Sequence, residues 1–98
     1  MNKDVILKYL VEHKAELSRK FHLSKLGLFG SFVRSEETAN SDIDLIVEFM
    51  PNTEDLFELK IELKELLKKH FNREVDICRE KYIKPYYRQQ ILQSAIYV

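Results

Sequence analysis

The sequence predicts a small α/β (α+β) unit, about three strands flanked by helices, in the order α-β-(short α)-β-α-β-α. Three observations predict it. Apolar residues recur at helical spacing over 3–21 and 54–71, whereas 42–49 alternates with the period of two that marks a strand. The chain has 98 residues, 45% of them hydrophobic, enough for one core and too few for two, so 1–98 reads as one domain. The only glycines, Gly27 and Gly30, fall in one short segment, which marks that segment as one where the backbone must do something unusual.

The elements follow in order. Ile6, Leu10, Leu17 and Phe21 form the apolar stripe of a helix over 3–21, with His13 on the same stripe and Asn2 as its cap. The run 25–29 is apolar and stops at Gly30, as a buried strand would. A short helix is expected over 31–37, followed by polar turn material at 38–41. In 42–49, Ile43, Leu45, Val47 and Phe49 face one way; Asp42, Asp44, Ile46 and Glu48 face the other. Pro51 stops that strand. A second helix over 54–71 carries Leu56, Leu59, Leu63, Leu66 and Leu67 inward, and Lys68, Lys69 and His70 complement its C-terminal dipole. A third strand spans 74–79, with Val75 and Ile77 on one face and Asp76 and Cys78 on the other. Pro85 opens a last helix that turns Ile91, Leu92, Ala95 and Ile96 inward.

Composition excludes several classes. Sixteen basic and sixteen acidic residues give no net charge, which argues against direct nucleic-acid binding through a basic face. The single cysteine, Cys78, excludes an internal disulfide and a cysteine-rich zinc site. His13, His22 and His70 lack the spacing of zinc ligands. No apolar run reaches the ~18 residues of a membrane span, so no membrane association is expected and the cytoplasm is the expected location.

The chemistry lies in two short segments. Aspartate is a poor strand residue, yet Asp42 and Asp44 share one face of a strand otherwise suited to burial. Carboxylates two residues apart on a strand lie about 7 Å apart and point the same way, and a hard divalent ion such as Mg²⁺ between them turns repulsion into attraction. If the third strand neighbours the second, Asp76 joins them, enough acid for two ions about 4 Å apart. The other segment is Gly30-Ser31, where glycine lets the backbone approach a ligand closely and the following amides and Ser31 hydroxyl suit phosphate oxygens. Arg34 is placed to reach the same anion. Phosphate cradle and metal acids together are the parts that move a nucleotidyl group from a triphosphate.

Gly30-Ser31, ten residues, then Asp42-Ile43-Asp44 resembles the Gly-Ser-x10-Asp-x-Asp signature of the DNA polymerase β-like nucleotidyltransferases. The stretch GSFVRSEETANSDIDLIVEF looks like the minimal nucleotidyltransferase (MNT) family, with Asp76 of EVDI fitting the third acid. The resemblance implies a small mixed sheet of nucleotidyltransferase fold and a metal-dependent nucleotidyltransferase that uses ATP or another NTP with two Mg²⁺ ions. It implies that Ser31 and its neighbours hold the β and γ phosphates, that Asp42 and Asp44 bind the ions and that Asp76 helps activate an acceptor hydroxyl. It also implies a partner: many minimal members are antitoxins of HEPN-domain toxins, some of them adenylylating a toxin tyrosine. This chain departs from the family where Ser35, not glycine, follows Arg34, which is expected to alter that turn without removing a ligand.

The catalytic segments occupy nearly all of the residues, so the acceptor is expected in an open cleft, on a HEPN partner, or in a cleft completed by a homo-oligomer. Two rival readings have their own signatures. A protein that merely masks its partner has no need of clustered acids. A small-molecule adenylyltransferase generally carries a further substrate domain.

Overall fold

The structure is a computed structural model that describes residues 1–98. Helix α1 spans Lys3–Phe21, as the periodicity predicts, and Asn2 Oδ1 accepts the Val5 N–H at 3.1 Å to cap it. It buries Ile6, Leu10, Leu17 and Phe21. His13 lies at the margin of that stripe, half-buried, its ring stacked on Tyr9 at 4.1 Å. The other side of Tyr9 stacks on His70 at 3.9 Å, so the histidines cross-brace two helices and serve packing.

Strand β1 (Leu23–Phe29) starts two residues earlier than its apolar run suggested and runs antiparallel to β2 (Ile43–Phe49). Helix α2 (Leu56–Phe71) carries the chain across so that β3 (Val75–Arg79) lies parallel to β2, a pairing that requires such a crossover. Its buried stripe is Leu63, Leu67 and Phe71, with Leu56, Leu59 and Leu66 packed partly under it. Glu80–Tyr82 makes a single 3₁₀ turn, and α3 (Pro85–Ser94) has its proline in the first turn. One continuous hydrophobic cluster of 17 buried residues joins α1, α2 and the sheet.

Two expectations are corrected. The sheet has four strands, ordered β3-β2-β1-β4, because Ile96–Tyr97 leaves the helix to form β4 against β1. Ile96 is therefore a strand residue, and no residue of α3 is fully buried. Gly27 makes room for this pairing: a side chain there would press on Tyr97, Ile96 and Ile46. The Tyr97 hydroxyl then donates to Glu80 at 2.7 Å and pins the strand. The short helix expected over 31–37 is instead a hydrogen-bonded turn, with Val33 and Arg34 N–H groups on the Gly30 carbonyl at 3.2 Å. Ser35 at φ 58° ends it, because left-handed backbone cannot continue a right-handed helix.

Candidate active site

Register builds the site. Phe29 of β1 stands opposite Asp44 of β2, and Asp44 stands opposite Asp76 of β3. The apolar partners alternate with this row: Ile43 beside Val75 and Leu45 beside Ile77 are buried under the helices. The period of two therefore turns Asp44 and Asp76 to the opposite face of the sheet. Asp42 lies one residue before β2 and is exposed, as is Asp76, while Asp44 is half-buried.

Gly30 directly follows β1 with φ +81°, and a Cβ built on it would overlap the Asp44 carboxylate. Glycine is required there twice over, by the backbone and by the acid lying against it. The first residue of the cradle is thus in contact with the central acid. Ser31 is half-buried beside it, its carbonyl accepting the Glu36 N–H at 2.9 Å. With a turn in place of a helix there is no macrodipole to invoke. The N–H groups from Val33 to Glu36 are taken up inside the turn, so the donors it leaves open to an anion are the Ser31 and Phe32 N–H groups and the Ser31 hydroxyl.

Electrostatics ties the acids together. Burial, then the charges of Asp76 and Asp42, push the Asp44 carboxyl up from 3.8 to about 6, and the Arg34 guanidinium only partly offsets them. Arg34 faces the acids but its side chain is half exposed, and its Nε donates to Glu36 at 3.1 Å. The donor set, carboxylates near enough for the charges of Asp76 and Asp42 to act on Asp44, is of the chemistry that suits a hard divalent cation. No three acidic, histidine or cysteine side chains come together as a metal-holding group, so Asp42, Asp44 and Asp76 are neighbours and do not form the three-acid cluster the sequence suggested.

Arg73 was missed by sequence reasoning. Its Nη1 donates to the carbonyls of Thr38 at 3.2 Å and Ser41 at 3.0 Å, and its guanidinium lies 5.3 Å over the Phe32 ring. It therefore ties the loop entering Asp42 and the residue after Ser31 to the start of β3, which carries Asp76. A basic residue three positions before an acid carries no periodic signal that would single it out. Glu48 is an ion-pair partner: Arg79 Nη2 donates to it at 3.0 Å and the Lys81 N–H at 2.9 Å. Burial and Asp76 hold the half-buried Cys78 thiol above its usual range, consistent with an inert thiol. Tyr82, Tyr86 and Tyr87, close together in the sequence, are all exposed.

A mixed sheet with a glycine–serine turn at the end of one strand and acids in register on the next two defines a class, the nucleotidyltransferases. The model of the nucleotidyltransferase domain family matches residues 10–98. The chain is 39% identical over 94 residues to "Putative protein adenylyltransferase MJ1379" of Methanocaldococcus jannaschii, covering 95% of this chain and 94% of that one. It is 34% identical over 91 residues to the protein adenylyltransferase MntA of Thermococcus cleftensis, covering 91% and 88%. Among solved structures, one described as "Structure of putative minimal nucleotidyltransferase" superposes with a TM-score of 0.78 at 29% identity, over 98% of this chain and 95% of that one. A chain of a toxin–antitoxin complex crystallised with AMP-PNP gives a TM-score of 0.68 at 23% identity over 88% and 69%, a likeness of fold. The chain belongs to the nucleotidyltransferase domain family, among its minimal members, and is an enzyme of that kind.

Proposed function

We propose that this chain transfers AMP from ATP to the phenolic hydroxyl of a tyrosine on a HEPN-domain toxin, and that it needs Mg²⁺ to do so. The observation that carries the reading is the row across the sheet, Gly30 against Asp44 and Asp44 opposite Asp76. Relatives named as protein adenylyltransferases support a protein acceptor, and fold neighbours solved as toxin–antitoxin complexes, one with AMP-PNP and one with a tri-AMPylated HEPN toxin, support a partner of that kind.

Each residue has a part. Gly30, the Ser31 hydroxyl and the Ser31 and Phe32 amides, which the turn leaves unused, hold the β and γ phosphates, with Arg34 swinging from Glu36 to the same anion. Asp42, Asp44 and Asp76 would hold the ions, whose charge offsets that developing on the phosphate oxygens. Asp76, on the outermost of the three strands, meets the acceptor. Its hydroxyl oxygen bonds to the α-phosphorus, the bond from that phosphorus to the bridging oxygen breaks, and pyrophosphate leaves. The hydroxyl proton passes to the acid cluster on the Asp76 side.

The test combines the purified chain, a HEPN-domain partner, Mg²⁺ and ATP labelled in the α-phosphate. Label on a partner tyrosine, lost with EDTA or Asp44→Asn, is the expected result. Partner binding without transfer would replace the proposal with masking.

A further inference from the structure

Resting on that reading, we infer that the acceptor tyrosine enters through the groove on the outer side of β3, between that strand and the start of α2, with its ring held by Phe57 and Tyr82. The groove has a volume of about 410 Å³, and Asp76 lines it.

The direction of attack is set by topology. The triphosphate cradle sits at the end of β1, the central acid on β2 and the third on β3, in one register row. Strands lie about 4.8 Å apart, so the row runs about 10 Å from cradle to Asp76. Nucleotidyl transfer is an in-line displacement, in which the entering oxygen and the leaving pyrophosphate oxygen stand on opposite sides of the phosphorus. With the tail held on the β1 side, the nucleophile arrives from the β3 side. β3 is an edge strand, and the groove opens there.

The walls select the occupant. Apart from Asp76, Lys60 and Arg79, the lining is Leu56, Phe57, Ile77, Cys78, Tyr82 and Ile83, with Phe57 72% and Tyr82 66% exposed. Such aromatic exposure beside a reaction site marks a recognition surface. A sugar or nucleotide acceptor would leave several hydroxyls without partners on these walls. A tyrosine presents one hydroxyl on an apolar ring. Lys60 brings a positive charge to the same wall.

The experiment measures transfer from Mg·ATP to the HEPN-domain partner, and to a short peptide carrying its labelled tyrosine, for wild type, Phe57→Ala and Tyr82→Ala. Affinity for Mg·AMP-PNP is measured by calorimetry alongside. Phe57→Ala removes an exposed side chain and should keep the wild-type melting temperature, while Tyr82→Ala also loses the Arg79 guanidinium that lies 4.9 Å over its ring and should lower it only slightly. KM for partner and peptide should rise at least tenfold, while AMP-PNP affinity stays within twofold. Unchanged KM for the peptide overturns the inference alone, and so does a parallel loss of AMP-PNP affinity, which would make the groove a nucleobase site. A wild type that labels no acceptor overturns the proposed function, and the inference with it.

Discussion

Replacing Asp44 with asparagine should stabilise the metal-free protein while abolishing transfer. The carboxyl titrates near 6 instead of 3.8, chiefly because burial and the nearby charges of Asp76 and Asp42 disfavour its ionised form. A shift of that size corresponds at face value to ~3 kcal/mol, and because the group is only half-buried, screening by water reduces it to about 1–2 kcal/mol. The sign follows from the direction of the shift. A carboxyl that binds its proton more tightly when folded destabilises the fold above its folded pKa, and that penalty fades as pH falls through 6 toward 4. Wild type in EDTA should therefore gain stability between pH 7 and pH 5. Asp44→Asn should lack that gain and melt roughly 5–10 °C higher at pH 7.5. Glu48 and Glu80 act oppositely. Burial raises Glu48, but the Lys81 amide and Arg79 outweigh it, and the Tyr97 hydroxyl and Lys25 hold Glu80 down. Their contributions are present above the ordinary glutamate pKa and are lost only as pH falls below it, outside this window. Mg²⁺ at about ten times its Kd should add ~1.4 kcal/mol to wild type and almost nothing to the variant. Thermal denaturation by circular dichroism from pH 5 to 8, with EDTA or Mg²⁺, reads all of this. A variant no more stable than wild type at pH 7.5 in EDTA would refute the reasoning and make Asp44 a structural acid.

Gly30→Ala should cost about 1–2 kcal/mol from its φ of +81° alone, and by displacing the Asp44 carboxylate it should lower kcat by about 100-fold or more, seen in denaturation and transfer assays. Arg73→Ala loses bonds to Thr38 and Ser41, for an expected destabilisation of about 1–3 kcal/mol with a fall in kcat, and Arg73→Lys should recover part of both. Ser35→Gly should stabilise by about 0.5–1 kcal/mol in urea denaturation, since relief of the left-handed cost exceeds glycine's added chain entropy, with transfer retained.

Sequence by itself determined the pieces whose signal is local. The alternation from Ile43 to Phe49 set that strand and put Asp44 on the face away from the core, because side-chain direction in a strand has a period of two. The stripe over α1 and the Asn2 cap were legible for the same reason, the helical period being written into the residues it orders. Gly30 stood out because so few glycines were available. Tertiary structure alone decided what depends on residues far apart in the chain. Nothing near Asp76 specifies its place opposite Asp44; that follows from the parallel register reached through α2, which the burial of Val75 and Ile77 beside Ile43 and Leu45 selects. β4 is likewise a product of pairing, since Ile96–Tyr97 has no strand length of its own and forms only against β1, over the space left by Gly27 and with Tyr97 held by Glu80. Arg73 acquires its role only when the loop before β2 folds onto the start of β3, a contact that no local pattern encodes.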